Sequence, residues 1–205
     1  KLHTNGPKYV SPRTVALTHP ISVPKSIADS LGVNCRIRTL NNACAAGLDA
    51  IGEAFEAIQR GETEFAIAGG SDSIICPITL ASFTKAGLSS LRNDEPDLAS
   101  RPFDSEADTG VVGEGAALFV VENLQHAISR NAKIYGEITG YSSASDDHKH
   151  NPCSGLRKSI HRALNNSGRI ASDVDYITTH GAGAPPLDIG EINSIKEVFG
   201  SHSYK

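Results

Sequence analysis

The chain has 205 residues, enough for one good core or for part of a larger one. With 39% hydrophobic and 20% charged residues it reads as globular, and a net charge of −4 gives no reason to expect a nucleic-acid partner. The longest apolar runs fall far short of a membrane span, and no signal peptide opens the chain.

Four cysteines (Cys35, Cys44, Cys76, Cys153) stand far apart with no C-x-x-C pair. That is neither a disulfide framework nor a zinc ribbon, and it suits a reducing, cytoplasmic compartment. There is no methionine, and the opening Lys1 to Pro24 holds four prolines and reads as loop. The expectation is a chain entered midway.

The first ordered pattern is Cys35-Arg-Ile-Arg-Thr39, which alternates apolar and polar as a short strand does. Asn41 and Asn42 supply turn or capping chemistry. Leu48, Ile51, Phe55 and Ile58 then recur at helical spacing, and Gly61 stands where a helix C-cap belongs. Glu64 to Gly70 is a second apolar strand. Strand, helix, strand implies a crossover and a parallel sheet. From Ser71 to about Asp108 the pattern is a long loop with one short helix near Thr79–Ala86. Val112 to Glu122 reads as a buried strand, Leu124 to Arg130 as a short helix and Lys133 to Gly140 as another strand. Asp146 to Asn151 is a polar loop, Leu156 to Asn166 an amphipathic helix ended by Ser167-Gly168, and Val174 to Thr179 a strand that delivers His180. Asp188 can cap a last helix whose apolar face is Ile192, Ile195, Val198 and Phe199. This alternation defines an α/β protein.

Cys44 falls between the first strand and its helix. There the unpaired N–H groups and the helix dipole favour a thiolate, in the elbow arrangement of covalent acyl-transfer enzymes. The small neighbours Ala43, Ala45, Ala46 and Gly47 leave room for a substrate. The competing reading is an inert core cysteine. His180 lies just past a strand end, where reactive groups of open α/β sheets gather, and the competing reading is a histidine bonded to its own turn. Asp188 and Glu191 read as cap and dipole partner, or as anchors for a cation or water beside His180. His148-Lys-His150 fits no well-attested metal spacing, and Gly113-Glu-Gly115 reads as tight packing at a strand start rather than a phosphate loop.

Taken together, N-A-C-A-A-G-L-D-A-I-G-E-A, F-A-I-A-G-G-S-D, L-S-S-L-R-N-D-E-P-x-x-A-S-R-P-F-D, G-E-G-A-A and Y-I-T-T-H-G-A-G-A-P-x-x-D-x-x-E appear in the order found in the β-ketoacyl-[acyl-carrier-protein] synthases of the thiolase superfamily, which the chain resembles along essentially its whole length. The resemblance implies a thiolase-like α-β-α-β-α layered fold, incomplete in this chain. Residues 1–122 would be the latter part of the N-terminal half and residues 123–205 the first part of the C-terminal half. It implies Cys44 as the acyl-accepting nucleophile and His180 as the first of two active-site histidines. Asp188 and Glu191 match the family's acidic supporting network, and Phe83 falls near the aromatic that lines the acyl pocket. It further implies a homodimer, an acyl carrier protein as partner, substrates carried on that protein's phosphopantetheine, and no metal or other cofactor. Two departures stand out. The family's H-G-T-x-T has threonines where this chain has Ala182 and Ala184, and its D-A-Y-H-M-T loop is here Asp146 to Asn151. By the resemblance, the segment with the family's lysine, second histidine and glycine-rich Phe turn would be expected beyond Lys205. The alternatives are a thiolase acting on CoA thioesters and a non-catalytic partner of an active synthase.

Overall fold

The computed structural model describes residues 2–147 and 153–204. In chain order the regular elements are α1 (Leu2–Asn5), α2 (Arg13–Thr18), α3 (Ser22–Leu31), α4 (Ala46–Gln59), β1 (Phe65–Asp72), α5 (Pro77–Lys85), β2 (Gly115–Glu122), α6 (Leu124–Ser129), α7 (Ser154–Ser167) and α8 (Pro185–Phe199). They divide into two compact units, Lys1–Ala46 and Gly47–Lys205.

The first unit is more helical than its prolines suggest. Pro12 directly precedes α2, and Pro24 occupies the third position of α3. A missing N–H costs nothing in a first helical turn, where that group has no intrahelical partner. Lys25 and Asp29 pair one turn apart at 2.9 Å on the exposed face of α3. Residues 33–41, including the expected strand Cys35–Thr39, form no helix and belong to no ladder.

In the second unit, α4 ends as its sequence requires. Gly61 takes φ 68°, and the N–H groups of Gly61 and Glu62 return to the carbonyls of Ile58 and Ala57. The start of α4 crosses β1 at two glycines, where a Cβ on Gly70 would stand 3.2 Å from the Gly47 Cα. Further along, a Cβ on Gly52 would fall 2.2 Å from the Tyr141 ring, so that ring rests directly on the helix backbone. The Tyr141 hydroxyl donates to Asp49 at 2.7 Å. Burial and the neighbouring carboxylate push the phenol up to about 12.

β1 pairs with β2, from Phe65 opposite Glu122 to Asp72 opposite Gly115. The pair is antiparallel and two-stranded, and it is the only sheet among the described residues, so the expected parallel crossover is corrected. The expected strands at 35–39, 133–140 and 174–179 form no ladder there. Alternation fixes which face a strand buries, but a strand exists only through a neighbour that takes its N–H and C=O groups. The short helix expected near 79–86 is α5, two residues earlier. The glycines at 113 and 115 meet nothing within 4 Å and do not serve tight packing. Glu114 between them is the working residue, accepting from the Ser73 hydroxyl at 3.0 Å and the Ile75 N–H at 2.9 Å.

At the far end of β2, Arg130 donates twice to Glu122 at 2.7 Å and, ahead of His126, holds its carboxyl down to about 2. The buried apolar residues are chiefly alanines (Ala54, Ala68, Ala99, Ala127) with Phe199. Phe119 and Val120 of β2 remain 58% and 59% exposed, so neither face of this sheet is a finished core.

Candidate active site

Cys44 sits in a 3-10 turn, Ala43–Ala45, immediately before α4. The bend is made at Ala43, which adopts φ 57°, and Ala46 N–H returns to the Ala43 carbonyl. A non-glycine residue pays for a left-handed conformation, so the turn is held against its own preference. Cys44 is exposed. It therefore does not sit in the protein as a core cysteine, and it stands two residues before the positive end of a 14-residue helix.

The second cluster is built on α8. Residues 174–184 approach it as irregular chain, and Pro185 and Pro186 open the helix without N–H groups to satisfy. Glu191, 7% exposed, accepts from His180 N–H at 2.6 Å and from Gly181 N–H at 3.0 Å. Asp188, 4% exposed, accepts from Gly183 N–H at 3.1 Å and from Phe103 N–H at 2.9 Å. Four backbone donors from two loops thus converge on two buried carboxylates. Buried charge is tolerated when each oxygen is hydrogen-bonded, and these are.

Asp188 was expected to cap α8, but it is the fourth residue of the helix, and Ala184 holds the cap position. Its carboxylate ties the turn before the helix to the loop around Phe103. The His180 side chain is exposed at the surface of the pinned turn, with Ala182 and Ala184 half-buried beside it. The turn packs on a second loop: a Cβ on Gly110 would lie 2.6 Å from the Ala182 carbonyl oxygen. α8 and the turn before it therefore bring together His180, Ala182, Ala184, Asp188 and Glu191. Phe83 stands half-buried on α5, and Cys44 belongs to the first unit.

Several residues in this region carry no clear sequence signal. Asp146, read as loop, accepts from Cys153 N–H at 3.1 Å and Gly155 N–H at 2.7 Å and so caps α7 from outside the helix. Cys153 takes φ 66° at that cap, and its carbonyl accepts from Ser194 of α8 at 2.9 Å. Burial, then Asp146 and Glu191, pushes its thiol up. Cys76 differs: it is exposed at the start of α5, 3.2 Å from the Thr79 hydroxyl, which together with the Thr79 amide draws its thiol down. His148 and His150 lie outside the described residues. Among those described, no three His, Cys, Asp or Glu side chains are grouped to hold a metal.

The family model for the β-ketoacyl synthase N-terminal domain matches residues 2–127, and that for the C-terminal domain matches residues 135–205. The chain belongs to the β-ketoacyl synthase family. It is 38% identical over 207 residues to 3-oxoacyl-[acyl-carrier-protein] synthase 2 of Synechocystis, covering 97% of this chain and 49% of the relative. It is 39% identical over 211 residues to the synthase of the same name from Coxiella burnetii, covering 100% of this chain and 50% of the relative. The chain thus spans about half the length of the curated relatives it matches. Among solved structures, a β-ketoacyl synthase from Burkholderia phymatum superposes with TM-score 0.89 at 31% identity, over 97% of this chain and 49% of that one. A ketosynthase of a type II polyketide synthase, in complex with its acyl carrier protein, gives TM-score 0.88 at 31% identity, over 96% and 50%. The fold is the thiolase-like α/β fold of these ketosynthases, incomplete in this chain.

Proposed function

We propose that this protein serves a β-ketoacyl synthase reaction of fatty-acid or polyketide synthesis, with Cys44 as nucleophile and His180 as a histidine of the condensation step. The Cys44 thiolate attacks the carbonyl carbon of an acyl thioester, the carbon–sulfur bond to the carrier breaks, and the carrier leaves as a thiolate that takes up the proton Cys44 lost on ionising. The malonyl thioester then loses its carboxylate as carbon dioxide, and the electron pair left behind attacks the acyl carbon. Cys44 sulfur departs, and a β-ketoacyl thioester remains on the carrier. His180 stabilises the charge that develops as the carboxylate leaves, and the Cys44 N–H serves as one oxyanion donor. Asp188 and Glu191 hold the turn that presents His180. Phe83 borders the acyl chain. In this reading residues 1–122 and 123–205 belong to the two halves of the fold, the enzyme works in the cytoplasm as a homodimer, and it needs no metal or redox cofactor.

The observation that carries this reading is Cys44 itself, exposed in a strained turn at the positive end of a helix. Charge supports an acidic carrier as partner. Residues 1–46 hold six of the 19 Lys and Arg and one of the 23 Asp and Glu, which leaves thirteen against twenty-two for the rest. The match to synthase models over both domains favours this reaction over a CoA thiolase.

The test is incubation with an acyl-carrier thioester followed by malonyl-carrier thioester: the 205-residue chain alone should acylate slowly and form no detectable ketoacyl product, the chain joined by a C-terminal half with the second histidine should form it, and Cys44→Ser should form none in either case. Product from Cys44→Ser would refute the assignment. Ala182 and Ala184 favour one second reading, a non-catalytic partner of an active synthase. Under the first reading, Ala182→Thr with Ala184→Thr adds hydrogen bonds of about 1 kcal/mol each and tightens carrier-thioester binding several-fold. Under the second it changes nothing.

A further inference from the structure

Phe103 lies outside every role assigned above, yet three observations single it out. It adopts φ 65°, one of the left-handed conformations that a bulky residue rarely takes. Its N–H is fixed at 2.9 Å on Asp188, the carboxylate that also holds Gly183. Its ring abuts the His180 turn: a Cβ on Gly181 would stand 3.4 Å from Phe103 Cε2 and 3.3 Å from Pro102 Cβ.

Gly181 itself has φ 55°, so the absence of a side chain there serves both the turn and the ring. Phe103 is nevertheless 41% exposed, so its ring is not simply buried for stability. Strain of this kind persists only where surrounding bonds over-determine it, and here the over-determining bond comes from the network that orders His180.

We propose that Phe103 is a positioning residue for His180: Asp188 holds its backbone in the left-handed conformation, and its ring walls the Gly181 turn, fixing the direction in which the imidazole is presented. The inference rests on the role given to His180 above. Removing the ring leaves His180 attached but less well aimed, and misplacement of a reacting group by about 1 Å costs on the order of a hundred-fold.

Phe103→Gly is the decisive variant, because glycine accepts φ 65° without strain while deleting the ring. Its unfolding midpoint should match or exceed the parent's, while kcat for condensation, measured for every variant with the C-terminal half that carries the second histidine present, falls at least about tenfold with KM for the acyl carrier unchanged. Phe103→Ala should lose kcat similarly, and Phe103→Tyr should restore it to within about twofold. His180→Ala run alongside separates the two claims. If His180→Ala is inactive while Phe103→Gly and Phe103→Ala keep parental kcat, the positioning role is overturned and the role of His180 stands. If His180→Ala condenses at the parental rate, the role of His180 falls and this inference falls with it.

Discussion

Around α4, the helix that follows Cys44, the chain is held by fit, whereas around His180 it is held by charge. Gly47 and Gly52 let a strand and the Tyr141 ring come up to the helix backbone, and the Asp49 carboxylate takes the Tyr141 hydroxyl. At the His180 turn, which also packs on the loops around Phe103 and Gly110, Asp188 and Glu191 add four hydrogen bonds from backbone N–H groups. A helix satisfies its own backbone, so positioning it needs only a close surface. An irregular turn leaves its amides open, so positioning it needs acceptors. Cys44 and His180 are therefore vulnerable to different substitutions.

The largest effect should come from Cys44→Ser. Acyl capture, followed by intact mass after incubation with acyl-carrier thioester, should fall by at least about a thousandfold. The unfolding midpoint should move by no more than about 0.5 kcal/mol, because the side chain is exposed. A large loss of stability would mean that Cys44 packs as well as reacts.

Glu191→Ala should behave in the opposite way. It strands the N–H groups of His180 and Gly181, at about 1–3 kcal/mol each, so urea unfolding should show a loss of roughly 3 kcal/mol. Acyl capture on Cys44 should survive wherever the variant remains folded, while condensation, measured with the C-terminal half that carries the second histidine present, is lost. Equal loss of both steps would erase the distinction between the two regions.

Gly52→Ala probes the fit directly. A methyl group 2.2 Å from the Tyr141 ring must displace it, at a cost of about 1–3 kcal/mol measured by the same unfolding curves. The Tyr141 hydroxyl adds a pH signature. Its folded value, about 12, lies above the ordinary 10 of a free phenol, so its contribution to stability is complete below pH 10 and is lost as pH rises towards 12. Tyr141→Phe should flatten that alkaline limb, and an unchanged limb would show that another group causes it.

Much of this was legible in the sequence, for physical reasons. Helices declare themselves locally, and α4, α6, α7 and α8 appear where periodicity and glycine punctuation put them. Strands do not, because their partners lie elsewhere in the chain: the alternation at 35–39 and at 133–140 is real, yet neither segment finds a ladder. The site shows the same split. The placement of Cys44 in a turn just before a helix could be read from its neighbours because that setting is local. Asp188 was expected as a cap because one of its two partners, Phe103, stands 85 positions away. Glu114, Asp146 and Cys153 act through hydrogen bonds to residues beyond their immediate neighbours, and nothing in their flanking residues announces that.

The smallest effect concerns the other thiols. The Thr79 hydroxyl and amide lower Cys76, whereas burial raises Cys153, so iodoacetamide near neutral pH should label Cys76 several-fold faster than Cys153. Thr79→Val should slow Cys76 and leave Cys153 unchanged.

Cys76 is thus an exposed thiol with a favourable setting but no part in the proposed chemistry, and it supplies the internal control for the central claim. The most direct test is peptide mapping of all four cysteines after reaction with an acyl-carrier thioester. The account expects a hydroxylamine-labile acyl group on the Cys44 peptide alone, with Cys35, Cys76 and Cys153 unmodified. Acylation centred on Cys76 or Cys153, or spread evenly over the exposed thiols, would contradict it.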